Sequence, residues 1–496
     1  MRLDFAGRRK IHIAMIRTSS FLCAALIVLP LVAAETRGPN VLFIAIDDLR
    51  PQLGCYGEEP VITPHLDKLA AQGRLFHNHY TQVPTCGASR YSMLTGSYPR
   101  RPAAFDNGAF KLVPKRKPAE PYSLPGLFLK NGYATVSLGK ISHSPSGTHG
   151  PVKGEAGHDG AAANVELPFS WTRVWGPMGE WGSSENAFFA YADGKTRIRG
   201  KTPAVEAADV PDHGYPDAPI ADQAIQELQK LKDGPFFLAV GFYKPHLPFT
   251  APKRYWDLYE PEKIPLAPNP LATPGLEINR KTGGEMFGAY TIAGKKRSSV
   301  EEPEARLLRH GYYAAVSYVD AQVGRVLAEL DRLDLAHNTI VVVWGDHGWH
   351  LGDAGAWGKH TLHERALRSA LIIRTPDTAE PGVPTRRIVE SIDLMPTLAE
   401  ACGLTPPAGL DGKSLLPLLR DPAADWDHPA RWFWGKGEAV RTDPWCLKEW
   451  TGQGGKVLRT ELFDHRNDPD ELRNVAKDHP EVVDELRKQL LRHAAP

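Results

Sequence analysis

Cysteine is scarce in this chain: five in 496 residues, at positions 23, 55, 86, 402 and 446. So few exclude a disulfide-built scaffold. Cys23 lies in an N-terminal apolar segment, and among the remaining four a Cys402–Cys446 bridge is a pairing open to an oxidising compartment. Charge of one sign is lacking too. Lys plus Arg is 59 against 58 for Asp plus Glu, a net charge of +1, so no global field draws nucleic acid or an anionic membrane, and an anionic partner must be met locally. Internal repeats are absent. Long apolar runs are absent beyond Phe21–Leu31, which falls short of the roughly 20 residues a spanning helix needs. That run follows Arg8, Arg9, Lys10 and Arg17 and precedes Val32-Ala33-Ala34. The pattern predicts a cleaved signal peptide over 1–34, with Met15 as an alternative start, and therefore a secreted or periplasmic protein with no stable membrane span. No Asn-x-Ser/Thr sequon occurs, which favours a bacterial setting over eukaryotic secretion.

What is present is the composition of a globular protein with an ample core, 42% hydrophobic and 24% charged, with 45 glycines and 43 prolines to build long structured loops. Val41 to Ile46 is an unbroken apolar run, the pattern of a strand buried on both faces, and it ends in Asp47-Asp48. Thr63-Pro64 opens a helix that closes at Gly73. Alternation continues with a helix over Leu124–Lys130, a strand over Tyr133–Leu138, a helix over Ala221–Leu231 and a strand over Phe236–Gly241. A long helix is predicted from about Glu304 to Leu333, and Thr339–Trp344 is a second buried strand, ending in Gly345-Asp346-His347-Gly348. A strand over Ala370–Arg374 and a helix over Ser391–Ala401 follow. Such β–α alternation implies a mostly parallel sheet covered by helices. Ligands bind beyond the carboxyl ends of strands in such sheets, so the two acidic dipeptides are expected to converge. Segments 144–219 and 261–299 show little periodicity and are expected to be loops walling a pocket. The texture changes near Pro417–Pro429, and a mixed segment from Trp432 closes with a helix from about Pro480 to His493.

Cys86-Gly87-Ala88-Ser89-Arg90, followed by Leu94-Thr95-Gly96, resembles the sulfatase signature. Asp47-Asp48 and Asp346-His347 stand in the family's order. So do Asp48-Leu49-Arg50-Pro51 with Gly54-Cys55-Tyr56-Gly57, Gly139-Lys140-Ile141-Ser142-His143, Lys244-Pro245-His246, Tyr312 to Gly324, and Trp349 to Lys359, with a fainter echo at Glu461-Leu462-Phe463-Asp464 and Asn467-Asp468-Pro469. The chain is similar to the iduronate-2-sulfatase-like branch from about Asn40 to Leu398. The resemblance implies an α/β fold, an alkaline-phosphatase-like sandwich with a mixed, mostly parallel central sheet, and a small C-terminal α+β subdomain. The expected division is a catalytic domain over 35–425 and the subdomain over 426–496.

By the same resemblance Cys86 is oxidised to formylglycine, by a formylglycine-generating enzyme or an anaerobic sulfatase-maturing enzyme. Its hydrated aldehyde is the nucleophile toward the sulfate ester of a sulfated glycan or uronate-containing saccharide. Asp47, Asp48, Cys86, Asp346 and His347 are the implied metal ligands. One Ca2+ is the family's ion, while imidazole at position 347, where many sulfatases have Asn, leaves Mg2+ or another divalent ion open. Lys140 and Lys359 are implied to bind sulfate oxygens, and His246 to protonate the departing sugar oxygen. His143 is implied to deprotonate the second hydroxyl and so expel sulfate, and Arg90 to orient the nucleophile. Trp349, His350 and His360 lie beside these residues in sequence, and Trp171, Trp175 and Trp181 are either sugar platforms or hydrophobic plugs. Ala88 stands where proline is commonest, and the aerobic maturing machinery favours proline. Two rival functions remain: a phosphoester or phosphonate hydrolase of the same fold, and a non-catalytic glycan-binding protein whose Cys86 is never modified. Lysines at 140 and 359, where a two-metal phosphatase needs further Asp and His ligands, favour one metal and sulfate.

Overall fold

The computed structural model describes residues 38–492 apart from 58–60, 150–157, 161–163, 272, 281–282 and 293–299. The expected signal peptide and Cys23 lie outside the described residues. At the centre is a nine-stranded sheet in the order Thr385–Glu390, Arg74–Tyr80, Leu371–Arg374, Thr339–Gly345, Asn40–Ile46, Phe236–Phe242, Ala134–Gly139, Arg173–Trp175 and His158–Asp159. Leu371–Arg374 runs antiparallel to both neighbours, and His158–Asp159 is antiparallel to Arg173–Trp175. The other pairings are parallel. The α/β class with a mixed, mostly parallel sheet is therefore observed.

The continuous apolar strands exist because both sheet faces are covered. Leu42, Ile44 and Ile46 point into one core with Leu66, Ile220, Ala224, Val316 and Val323. These come from the helices Pro64–Gln72, Asp217–Leu231 and Glu302–Arg332. Val41, Phe43 and Ala45 point the other way, onto Met93, Leu124, Phe128, Leu394 and Leu398, from the helices Cys86–Thr95, Leu124–Lys130 and Leu394–Ala401. Each fully buried aliphatic side chain contributes roughly 1.5–3 kcal/mol, so the two layers fix strand order and facing together. No helix among the described residues is long and apolar enough to cross a membrane.

Three expectations change. The stretches 144–219 and 261–299 are not all loop: Arg173–Trp175 extends the central sheet, Val205–Ala208 pairs in parallel with Phe249–Pro252, and Gly284–Ala289 is a short helix. Arg74–Tyr80 and Thr385–Glu390 are strands that periodicity did not suggest. Cys402 and Cys446 are both free. They are buried in different cores, Cys402 beside Leu398 and Cys446 beside Trp432, so no bridge joins them. A second, antiparallel sheet of Ala430–Trp434, Gly437–Arg441, Trp445–Thr451 and Val457–Asp464 follows, with a final helix Pro480–Arg487. Trp432 of that sheet stacks on Tyr80 of the central one at 5.2 Å.

Candidate active site

Register explains why residues far apart in sequence meet. Ile46 pairs with Gly345 on one side and Phe242 on the other, and Gly139 pairs with Gly241. The four residues or pairs that follow these strand ends, Asp47-Asp48, Asp346-His347, Lys140 and the Tyr243–His246 turn, therefore leave one edge of the sheet side by side. Two glycines permit the close approach. A Cβ at Gly345 would lie 2.5 Å from the Leu49 carbonyl oxygen, and one at Gly139, where φ is +65°, would lie 2.2 Å from that of Gly241. Asp48 itself sits at φ 59°, a left-handed conformation costly for a non-glycine residue. Tyr312, from the long helix, holds it there: its hydroxyl donates to the Asp48 carbonyl at 2.7 Å and accepts from Arg50 N at 3.1 Å.

The helix Cys86–Thr95 brings the remaining parts. Cys86 is its first residue, and Gly96 ends it in the left-handed region at φ 63°. A Cβ at Gly87 would come within 2.6 Å of Asn107 Cα, so that position is held to glycine by close packing. Ser89 donates to the Asp346 carbonyl. Arg90 Nε donates to Asp346 Oδ2 at 2.9 Å, Arg90 NH2 lies 3.4 Å from Asp47 Oδ1, and NH1 donates to the Lys140 carbonyl. The spacing Cys-x-x-Ser-Arg is thus one helical turn that aims a thiol at the site and locks it to two strand ends.

Around the Cys86 sulfur stand Lys359 Nζ at 3.2 Å, His347 Nε2 at 3.3 Å and Asp47 Oδ1 at 3.5 Å. Lys359 also donates to Asp48 Oδ1 at 2.8 Å, and Lys140 to Asp47 Oδ2 at 2.5 Å. His246 Nε2 lies 3.9 Å from Asp48 Oδ2, and its Nδ1 is hydrogen-bonded to the Leu247 carbonyl at 2.7 Å. Asp47, Asp48, Cys86 and His347 offer ligand atoms all within 4.8 Å of one another. Asp346 stands beside this cluster, its Oδ1 accepting from Asp48 N at 2.9 Å and its Oδ2 lying 3.6 Å from His347 Nε2.

The Sulfatase family model matches residues 39–404. The chain belongs to the sulfatase family. Residues 345–495 match the model for the C-terminal region of N-sulphoglucosamine sulphohydrolase. Sequence identity is 34% to the iduronate 2-sulfatase of Homo sapiens, over 81% of this chain and 75% of that protein. It is 30% to a sulfatase of Formosa agariphila, over 90% and 84% respectively. The fold is that of a phosphonate monoester hydrolase from Silicibacter pomeroyi with a TM-score of 0.70 at 26% identity, covering 92% of this chain and 95% of that one. The protein is a sulfatase similar to iduronate 2-sulfatase, and it hydrolyses sulfate esters.

Electrostatics in the sulfatase site follow from burial. Three carboxylates, Asp47, Asp48 and Asp346, face three cations, Arg90, Lys140 and Lys359, all nearly inaccessible. Burial raises the Asp47 carboxyl, but the charges of Lys140, Arg90 and Lys359 outweigh it and hold it well below the usual range. Burial, with Asp47's charge adding to it, pushes Asp48 well above that range despite Lys359. Burial likewise drives the Cys86 thiol up to about 11 and His143 down to about 3, the latter with help from Lys140. A divalent metal fits here on the chemistry of the donors: Asp48 Oδ2 is buried without a hydrogen-bond partner, in a cluster that offers two carboxylates, an imidazole and the side chain of residue 86. His143 Nδ1 is likewise buried and unpartnered.

Trp349 is fully buried with its ring centroid 5.2 Å from Lys359 Nζ. His350 Nε2 pairs with Thr361 Oγ1 at 2.9 Å, which braces the turn carrying Lys359. His360 stacks on Trp434 at 4.6 Å. Trp171 and Trp181 are buried plugs, packed in opposite cores. Sequence reasoning missed four residues. Lys244, inside a quoted stretch, donates to the His246 and Pro248 carbonyls at 3.3 and 2.7 Å and so shapes the His246 turn. Asp217 accepts from Tyr243 N at 2.6 Å. Tyr312 also lay in a quoted stretch without a role. Glu285 came from an aperiodic segment, where nothing in the sequence marks it.

Proposed function

We propose that this sulfatase removes sulfate from a sulfated glycan or uronate-containing saccharide, using formylglycine made from Cys86 and one calcium ion. The observation that carries the reading is the position of Cys86. It begins a buried helix with Lys359, His347 and Asp47 within 3.5 Å of its sulfur, at a pKa of about 11 that makes the unmodified thiol a poor nucleophile. A hydrated aldehyde there supplies an attacking oxygen and a second hydroxyl. Asp47, Asp48, residue 86 and His347 would hold the metal, with Asp346 beside them, and the bound ion supplies positive charge to polarise sulfate oxygens.

The remaining chemistry belongs to side chains. Lys140 and Lys359 bind sulfate oxygens as buried point charges. Arg90 fixes residue 86 relative to Asp47 and Asp346. His246 is neutral in the empty site, because burial takes it well below its ordinary pKa. The negative ester entering beside Nε2 favours its protonation, and Nε2 then hands that proton to the departing sugar oxygen. His143, held neutral by burial, takes the proton whose loss expels sulfate. The named activity of the iduronate 2-sulfatase relatives supports a saccharide substrate. Residues 1–34 are read as the signal that exports the chain to the periplasm or medium, and a formylglycine-generating or anaerobic sulfatase-maturing enzyme as the partner that converts Cys86.

The test compares aryl sulfate with aryl phosphate and phosphonate on matured, calcium-loaded protein. Sulfate turnover at least a hundredfold above either phosphorus ester is expected. The reverse order would favour the phosphonate monoester hydrolase chemistry of the structural neighbour.

A further inference from the structure

Glu285 stands on the short helix Gly284–Ala289. Its carboxylate reaches the site, with Oε1 3.3 Å from His246 Nε2 and Oε2 3.9 Å from Lys359 Nζ. The side chain is 24% exposed, where those of His246 and Lys359 are 5% and 4% exposed. It therefore lies between the enclosed reaction centre and solvent, and no step above uses it. Because Nε2 of His246 is the atom facing the departing oxygen, a carboxylate 3.3 Å away lies beside the leaving group.

Charge counting shows what such a neighbour does. Glu285 is the fourth carboxylate around the site, with Asp47, Asp48 and Asp346, against the cations Arg90, Lys140 and Lys359. A second anion on the substrate beside the departing oxygen meets the Glu285 carboxylate as a like charge, and that repulsion weakens its binding. A hydroxyl or ammonium group in the same place donates a hydrogen bond to Glu285 instead.

We propose that Glu285 is a specificity-determining residue that selects esters whose neighbouring ring substituent is a hydrogen-bond donor and rejects those with a second anion there. The inference rests on the roles given above to His246 and Lys359. It narrows the substrate class to sulfate esters without an acidic group next to the scissile oxygen.

Calorimetry on the calcium-loaded full chain with Cys86 unconverted avoids turnover. The probes are phenyl sulfate, 2-hydroxyphenyl sulfate and 2-carboxyphenyl sulfate. The wild type is expected to bind the hydroxy compound at least tenfold more tightly than the carboxy compound, Glu285→Gln to bring the two within threefold, and Glu285→Asp to keep the order. An equal preference in wild type and Glu285→Gln overturns the proposal, as does equal binding of the two by the wild type. Lys359→Ala should lose phenyl sulfate. If it binds phenyl sulfate normally, the ester is not in this site, and the underlying assignment of Lys359 fails along with the inference.

Discussion

Lys359, the proposed sulfate-binding group, donates to Asp48 Oδ1 and to the Cys86 sulfur at once. Replacing it by alanine should lower kcat/KM by roughly 10²–10³, the size of a lost charge-stabilising donor. It should also destabilise the metal-free protein by about 1–3 kcal/mol, because Asp48, its carboxyl already pushed up by burial, loses a hydrogen-bond donor. Calcium, by taking over that carboxylate, should return much of the loss, which thermal melts with and without the ion will show. Cys86→Ala makes a cleaner comparison. It removes a neutral group, so the melting temperature should stay close to wild type while sulfate release falls by about 10⁴ or more. Much of this site was readable from sequence, because each residue sits in a short motif whose backbone needs are visible: glycine at 87 and 96, acids after apolar strands. Glu285 and Asp217 were not readable. They reach the site from a short helix and a helix start whose placement depends on tertiary packing alone.

The apolar strands and the long helix follow from pattern because two-sided burial demands uninterrupted Val, Ile and Phe. Arg74–Tyr80 escaped because its polar residues find partners only in the folded chain. Arg74 donates to the Leu418, Leu419 and Ala379 carbonyls, and His79 is hydrogen-bonded to Ser369 and Ser391. Gly139 ends its strand at φ +65° with the Gly241 carbonyl 2.2 Å from any added Cβ. Gly139→Ala should therefore cost about 2 kcal/mol or more and displace Lys140, lowering activity beyond the loss of folded protein. At the junction of the two sheets, Glu390 accepts from Tyr98 OH at 2.6 Å and Arg431 N at 2.8 Å. Burial, then the charge of Asp393, pushes Glu390 up to about 8, and burial pushes Asp393 up to about 7. The fold thus prefers both protonated. The stabilisation is complete below the ordinary carboxyl range near ~4 and is lost as pH rises through about 7 to 8. Melting temperature should fall from pH 5 to pH 9, and Glu390→Gln should flatten that slope. An unchanged slope would count against the protonated pair.

At the scale of the whole molecule, a net charge of +1 gives an anionic substrate no long-range guidance. On the proposed reading, recognition is concentrated in one buried cluster at a sheet edge, where cations and carboxylates are matched and a divalent metal would bind. Chelation should therefore abolish turnover and lower the melting temperature, and added calcium should restore both, as expected when an ion binds only the folded state. The second sheet is packed onto the first through Tyr80 and Trp432 and stacks Trp434 on His360 beside Lys359. Its sequence reads as a mixed tail because its strands bury charged residues, among them Lys448 and Glu449, whose partners Glu471 and Arg487 meet them only in the folded chain. On the proposed reading, residue 86 is the nucleophile only after oxidation. Mass spectrometry of the peptide carrying residue 86, from active protein made in its native host, tests this directly. The mass of formylglycine is expected at that position, and full sulfatase activity from protein whose residue 86 is an unmodified cysteine would rule this chemistry out.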